Sequence, residues 1–505
     1  MAGAEQVQTH TDEEQALLDT MGYDVTLKRE FTFWSAFAVA FAIISPLLGL
    51  YTIYGLGLTT GGAAFWWAFP LVLAGQLLTA LVFAEMGSRY PLAGGVYQWA
   101  RQSGSPQLAW FTGWFYIFCY MIAATTSTYV MSTFFCVAAG IDNPSRGTLV
   151  LISIGFVILY TVINMVGRAV IKIMMYASIT AEAIGSVAMG TILLLFYREN
   201  SLSVILHPAG GGSLGSFFAT GGFLACIAFV GWAFVGFEAA GTVSEEVRDP
   251  QRAIPKAIIY SLIIVAAVVM YSALAFILAT PDLSKVVSSG NVADPIVYTL
   301  TYHLGEAISR PFFALVVIGF LACEIATQTV VSRAMFSWAR DGLIPGKSVL
   351  TKVSKKHRLP VNALIVSAII ISIMYVFAYS DKVWPLLVSV TTGLFYTAFM
   401  LCLIAAFLAR LTGRWTPGAW SLGRTWGWVV NIAALVWTGF MVVNIAWPRW
   451  AGIPWYQNWA VVIMLAILGV IGFLCFIGLR VPQKVAHAQS LLTGDDGAVL
   501  EAAAD

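Results

Sequence analysis

Four glutamates, Glu85, Glu182, Glu238 and Glu324, stand inside otherwise apolar runs of a 505-residue sequence. A carboxylate at the centre of a membrane-spanning helix costs roughly 2.5–3.5 kcal/mol on insertion scales, so each needs a partner or a task. The chemistry open to such groups is proton exchange, because buried carboxyls can titrate near physiological pH, or the binding of a cation or amine. Glu85 precedes Arg89 by four residues and reads as structural, pairing with a loop arginine or capping backbone. Glu182, in "MMYASITAEAIGSVAMG", has no lysine or arginine close to it in sequence and is a candidate for a coupling proton. Glu238 follows Gly236 in "GWAFVGFEAAG" and is either a proton-titratable gate or amine contact, or a ligand for backbone amides freed by a helix break. Glu324 has Gln328 one turn away: either the two hydrogen-bond, or Glu324 faces a cavity and binds a cation. Several unpaired carboxylates along one pathway favour an amine-bearing solute. Tyr51, Trp114, Tyr120, Trp232 and Phe234 can surround an ammonium group through cation–π contacts.

The elements that carry these residues are oily. The chain is 59% hydrophobic and 10% charged, where soluble proteins average about 25% charged. Its mean hydropathy is +0.83. This is the composition of an all-α integral membrane protein. The net charge of +2 comes from scattered basic residues and offers no surface for nucleic acid. Five His and six Cys lack metal-ligand spacing, and no Walker loop, HExxH or GxSxG occurs, so neither an enzyme nor a cofactor or metal is expected.

A spanning helix needs about 20 apolar residues. Twelve such runs are predicted, at about 33–57, 63–86, 107–139, 147–166, 171–197, 217–242, 256–280, 307–338, 361–379, 383–409, 426–447 and 457–479. Residues 1–30 and 481–505 read as tails on one side. Twelve spans put 21 of the 27 lysines and arginines on the tail side and 6 on the other. The positive-inside rule then makes both ends cytoplasmic, in a multi-pass protein of the cell membrane. The basic run at 347–358 anchors that side and can contact anionic lipid. The loop "SEEVRDPQRAIP" (244–255) lies there too, where charge is cheap, and 294–303 reads as a short helix on the opposite side.

Two spans are interrupted. In "ISPLLGLYTIYG", Pro46 removes an amide donor and Gly49 weakens the helix beyond it. In the sixth run, Gly231, Gly236 and Gly241 surround Glu238. Irregular backbone at membrane depth is tolerated only where protein or a water-filled cavity satisfies it, and paired breaks point to a transporter's substrate site. Freed amides with the positive end of a half-helix suit a substrate carboxylate, and freed carbonyls suit its ammonium.

Three further stretches carry a family resemblance. "FAEMGSRYPLAGGVYQWA" (Phe83–Ala100), "GFEAAGTVSEEVRDPQRAIPKAI" (Gly236–Ile258) and "SRAMFSWARDGLIP" (Ser332–Pro345) resemble the amino acid–polyamine–organocation transporter superfamily over about residues 30–480. The first interrupted span looks most like the amino acid/choline branch, which includes GABA permeases. The resemblance implies a transporter domain of about 31–480 with a five-plus-five inverted repeat. Repeat one covers about 33–197, repeat two about 217–409, and two extra helices lie at about 426–479. Spans one and six are the broken ones. It implies alternating access and proton-coupled import of an amino acid, GABA-like compound or related amine. By motif position, Ser45, Pro46, Leu47, Leu48 and Gly49 match the unwound segment whose backbone binds the substrate carboxylate. Trp232, Phe234, Gly236 and Glu238 match the stretch that lines and gates the site. "PLLG" (Pro46–Gly49) stands where the commoner pattern is a small-residue G-[SA]-G. Glu182 matches a position where several relatives carry a lysine, whose amine takes the place of a coupling sodium ion. With Glu238 and Glu324 it completes the set assigned to coupling or gating. The alternatives are an uncoupled exchanger, or a nutrient sensor that binds such solutes without moving them.

Overall fold

The computed structural model describes residues 31–209, 213–219, 221–289, 294–354, 359–379, 384–449 and 453–481. The predicted tails, apart from Val481, and residues 355–358 of the basic run lie outside them. Helix α1 (Phe33–Ile44) and α2 (Pro46–Gly61) are halves of one apolar run, and α3 (Ala68–Arg89) follows a 3₁₀ turn at Gly62–Trp67. The short α4 (Val96–Ser103) leads into α5 (Pro106–Ala139), then α6 (Arg146–Val166). Helix α7 (Arg168–Glu182) passes through a π-helical turn at Ala183–Ala188 into α8 (Met189–Phe196). Helix α9 (Gly221–Ala233) is followed by a 3₁₀ segment, Phe237–Glu246, and then by α10 (Pro250–Ala279). The remainder is α11 (Pro295–Arg340), α12 (Val361–Met374), α13 (Trp384–Leu411), α14 (Arg424–Ala446) and α15 (Ala460–Gly478).

Long apolar runs become helices because only an internally bonded backbone is stable in hydrocarbon. Local chemistry sets their ends. Ser105 caps α5 ahead of Pro106 by accepting from the Leu108 amide at 3.3 Å, where proline's missing N–H is harmless. Gly140, at φ +68°, closes the same helix in the left-handed conformation. Within α11, Gly305 (φ +67°) separates a leading segment from the long remainder, close to where the short helix at 294–303 was predicted.

Among the described residues, eleven helical stretches are long and apolar enough to cross a membrane, rather than the twelve runs predicted. The difference lies in the first stretch, Phe33–Arg89, which joins the first two predicted runs through the 3₁₀ turn. Its most apolar window is 94% buried against protein, that of α15 only 28%, so α1–α3 form the centre and α15 the rim. Helix α5 packs on α11 and α13, and α10 packs on α1 and α3.

The three stretches quoted above meet on the side where α1 begins, here the tail side. Phe31 donates its amide to Glu246 O at 2.8 Å and accepts from the Arg248 amide at 2.9 Å. Arg333 pairs with Glu246 at 3.0 Å and Arg340 with Glu245 at 3.1 Å. Glu245 also accepts from the Ala93 amide at 2.9 Å. Asp341 receives Arg101 at 2.7 Å and the Tyr97 hydroxyl at 2.6 Å. The expectation of cheap charge in 244–255 holds for Arg248, Asp249 and Arg252, which are exposed, and fails for Glu245 and Glu246, which are 4% and 0% exposed. Charge is kept there because each carboxylate has a guanidinium against it. Glu85 has the structural pairing expected of it: its partners are Arg410, at the end of α13, and the Ser421 hydroxyl (3.0 Å), since α3 and α13 approach on this side.

Candidate substrate site

The break between α1 and α2 centres on Ser45, whose φ of +38° no regular helix allows. Ser45 caps α2: its Oγ accepts from the Leu48 amide at 3.0 Å and donates to Glu182 Oε1. The Leu47 amide donates to Glu182 Oε2 at 2.8 Å, and the Gly49 amide to Ser45 O at 2.8 Å. Pro46 has no amide to offer. The donors expected to await a substrate carboxylate are thus engaged in this conformation. A helix N-terminus attracts an anion, and here the chain supplies its own, delivered from α7 just before the π-helical turn. Leu47 packs against Gly185 and Gly319, while a side chain at Gly49 would come within 3.3 Å of Ala233. Gly49 is therefore one point where the two broken spans touch.

The second break centres on Gly236, with φ +105°, where a Cβ would lie 2.6 Å from Ile43. The freed Gly236 amide donates to Glu238 Oε2 at 3.1 Å. Glu238 Oε1 receives the Tyr120 hydroxyl at 2.7 Å and that of Tyr116 at 3.4 Å, both from α5. Of the two readings of Glu238, this geometry supplies the ligand for a freed amide.

A small cavity lies between the breaks. Ile43, Ile44 and Leu48 line it from the first, Trp232 and Val235 from the second, and Phe395 from α13. Tyr120, Ser127, Cys323 and Thr327 bring its polar atoms, and the Cys323 thiol donates to Ile43 O at 3.4 Å. The indole N–H of Trp232 has no partner among the described residues. Trp232 also lines a larger pocket on the side away from the tails, to which Leu56, Trp447 and Arg449 contribute. It therefore stands between the two spaces.

None of the four glutamates forms part of the cavity wall. Glu238 reaches it through Tyr120, and Glu324 through Ser127, whose hydroxyl donates to Glu324 Oε1. The Glu324–Gln328 bond is not made. Gln328 instead donates to Thr161 at 2.7 Å and accepts from Asn164 at 2.9 Å, on the α6 side of α11. Phe234 turns away onto Phe69 (ring centroids 6.0 Å apart) and its carbonyl accepts from Gln76 at 3.0 Å. Tyr51 packs with Phe134 and Phe276, and Trp114 stacks with Trp110 and Trp338. Of the five aromatics expected around an amine, Tyr120 and Trp232 line the cavity. Phe395, Ser127, Cys323 and Thr327 were not singled out from the sequence. Only Ser127 had a signal, the hydroxyl run Thr125–Thr128 in a span that is otherwise apolar.

The family model described as amino acid permease matches residues 31–473. Amino-acid permease 2 of Neurospora crassa is 24% identical over 485 residues, 91% of this chain and 86% of that protein. Amino-acid permease BAT1 of Arabidopsis thaliana is 26% identical, covering 86% and 89%. The thiamine transporter thi9 of Schizosaccharomyces pombe is 24% identical, covering 95% and 88%.

Proposed function

Because the chain belongs to the amino acid permease family, within the amino acid–polyamine–organocation superfamily, and so is a multi-pass membrane transporter and not an enzyme, we propose that it imports an amino acid, GABA-like compound or related amine by proton-coupled alternating access. One observation carries the reading: a small cavity between two interrupted spans, with carboxylates one hydrogen bond behind its wall. Tyr120, Trp232 and Phe395 offer π-faces to an ammonium group. The unpartnered Trp232 indole and the hydroxyls of Ser127 and Thr327 offer donors to a carboxylate. Relatives named for amino acids and thiamine fit a nitrogen-bearing solute.

In this reading the first stretch, Phe33–Arg89, crosses twice, giving twelve crossings in two inverted repeats plus two helices. The excess of Lys and Arg on the tail side puts the tails in the cytoplasm. The buried pairs Arg333–Glu246 and Arg340–Glu245 then close the cytoplasmic path, while Trp232 closes the outer one. Transport requires the two closures to open in turn. Ser45–Gly49 and Gly236 are the joints; Glu182 and Glu238, whose oxygens hold them, gate, and Glu324 couples.

Uptake into proteoliposomes tests this, with a panel of amino acids, GABA, choline, polyamines and thiamine under separate pH and sodium gradients. Accumulation of one panel solute driven by an inward proton gradient is expected. Accumulation driven only by sodium, or counterflow with no uphill uptake, would overturn the coupling and assign a sodium symporter or an exchanger. Solute binding with no flux would assign a sensor.

A further inference from the structure

Glu324 of α11 is fully buried, and its two oxygens meet different surroundings. Oε1 faces the Ser127 hydroxyl of α5, while Oε2 completes no hydrogen bond among the described residues. Beside the carboxyl lies Thr128, which also neighbours the hydroxyls of Tyr160 (α6) and Tyr375, in the turn after α12. Thr128 Oγ1, Tyr160 OH and Tyr375 OH likewise complete no hydrogen bond of normal length and angle among the described residues, although Thr128 lies near both tyrosines and Ser153 near Tyr375. Four polar atoms from four elements thus converge in one buried place. Most buried polar groups in proteins are satisfied, so four unpartnered ones gathered in one place mark a site for something the fold does not itself supply.

The chemistry of that missing component is set by Ser127. Its single hydroxyl hydrogen faces two acceptors, Glu324 Oε1 and Ala123 O, the latter at 2.6 Å. One hydrogen serves one of them. A proton on Glu324 Oε1 resolves the conflict: the carboxyl donates to Ser127 Oγ, and Ser127 donates to Ala123 O. Only O–H bonds are made or broken. Glu182 and Glu238 show no such conflict, since every partner of theirs is a hydroxyl or amide able to donate.

We propose that Glu324, with Thr128, Tyr160 and Tyr375, forms a buried site for a proton and its accompanying water, and that Ser127 links this site to the substrate cavity. This deepens the proton-coupled reading above, on which its role in transport rests. The titratable groups around Glu324 are Tyr160 from α6, Tyr375 after α12, and Cys323 on its own helix. Glu182 approaches Cys323 from α7 but is already held by Ser45 and Leu47. No lysine or arginine among the described residues adds a charge to the site. Ser127 is also part of the cavity wall, so a solute there and a proton on Glu324 share one hydroxyl.

Difference infrared spectroscopy of the full chain in lipid, between acidic and alkaline buffer, reads the site without any solute. Wild type should show one titrating carboxylic-acid band that is lost in Glu324→Gln and kept in Glu182→Gln and Glu238→Gln. No such band, or a band that survives Glu324→Gln, would overturn the proposal. Should Glu324→Gln fail to assemble, Ser127→Ala keeps the carboxyl and must shift the band; an unmoved band overturns the link. Transport by proteoliposomes, with alanine and GABA as solutes, separates this from the broader reading. A gradient of about one pH unit drives about tenfold accumulation at one proton per solute. Glu324→Gln should lose that accumulation while keeping counterflow. If wild type ignores the pH gradient although the band belongs to Glu324, coupled uptake fails and the proton site stands.

Discussion

Two regions of this transporter bury glutamates, and they do so with opposite chemistry. On the tail side, Glu85, Glu245 and Glu246 each face an arginine: Arg410, Arg340 and Arg333. Around the cavity, Glu182, Glu238 and Glu324 have no cationic partner among the described residues and rely on hydroxyls and amides. An arginine keeps its charge throughout the physiological range, so each of these pairs sets a permanent cation against its carboxylate. A carboxylate held by neutral donors can lose its charge without stranding a cation. The first arrangement suits a seal that is either joined or parted; the second suits a group whose charge changes during a cycle.

The comparison breaks most visibly at the seal. Glu246→Ala leaves Arg333 buried and unpaired, and removing one member of such a pair costs about 3–5 kcal/mol. Thermal unfolding of the purified protein in detergent should show that loss, and Glu246→Leu combined with Arg333→Met should recover most of it. If the single variant melts with wild type, the pair does not hold the tail side closed.

Glu182 carries the next effect. Glu182→Ala strands the Leu47 amide and the Ser45 hydroxyl, at about 1–3 kcal/mol for each buried unsatisfied group. Glutamine retains an acceptor for Leu47, so Glu182→Gln should stay close to wild type in melting temperature and in pH-driven uptake. Loss of pH-driven uptake with stability intact would return the coupling proton to Glu182 and erase its difference from Glu324.

Trp232→Ala sharpens the view from the cavity. Removing this wall and its indole donor should weaken apparent solute affinity about tenfold, within the range of a lost cation–π contact and hydrogen bond. It should also speed alkylation of Cys323, which shares the cavity. Normal kinetics with unchanged labelling would remove Trp232 from its place between the two spaces.

The smallest effect concerns a control carboxylate outside the apolar region. Asp294 caps α11, accepting from the Ile296 amide at 2.8 Å and the Val297 amide at 3.2 Å. Burial raises its pKa from 3.8 to about 6, against those two hydrogen bonds. The unfolded chain therefore binds fewer protons than the folded one between these values, so stability falls slightly as pH rises through that window. Asp294→Asn keeps the cap and should flatten this slope in melting curves taken across the window. An unchanged slope would assign it to other groups.

Both helix breaks were legible in the sequence, because proline and glycine act on the backbone they occupy. Pro46 and Gly236 interrupt their spans where the apolar pattern said they would. The membrane class followed from composition for a similar reason: no soluble core can absorb so many apolar residues. What the carboxylates do was not legible. Glu182 and Ser45 are 137 residues apart, Glu324 and Ser127 are 197 apart, and Arg410 and Glu85 are 325 apart. Gln328 was the nearest partner for Glu324 by sequence, yet it points to α6, because the two side chains leave α11 toward different neighbours.

The sequence by itself therefore determined an all-helical membrane protein of the permease family, the places where its spans break, and the presence of acids that need partners. Only the tertiary structure decided which acid meets an arginine, which meets amides, and which keeps an oxygen without a partner. Local backbone chemistry travels with the residue that causes it. The state of a buried charge belongs to whatever distant elements packing brings against it.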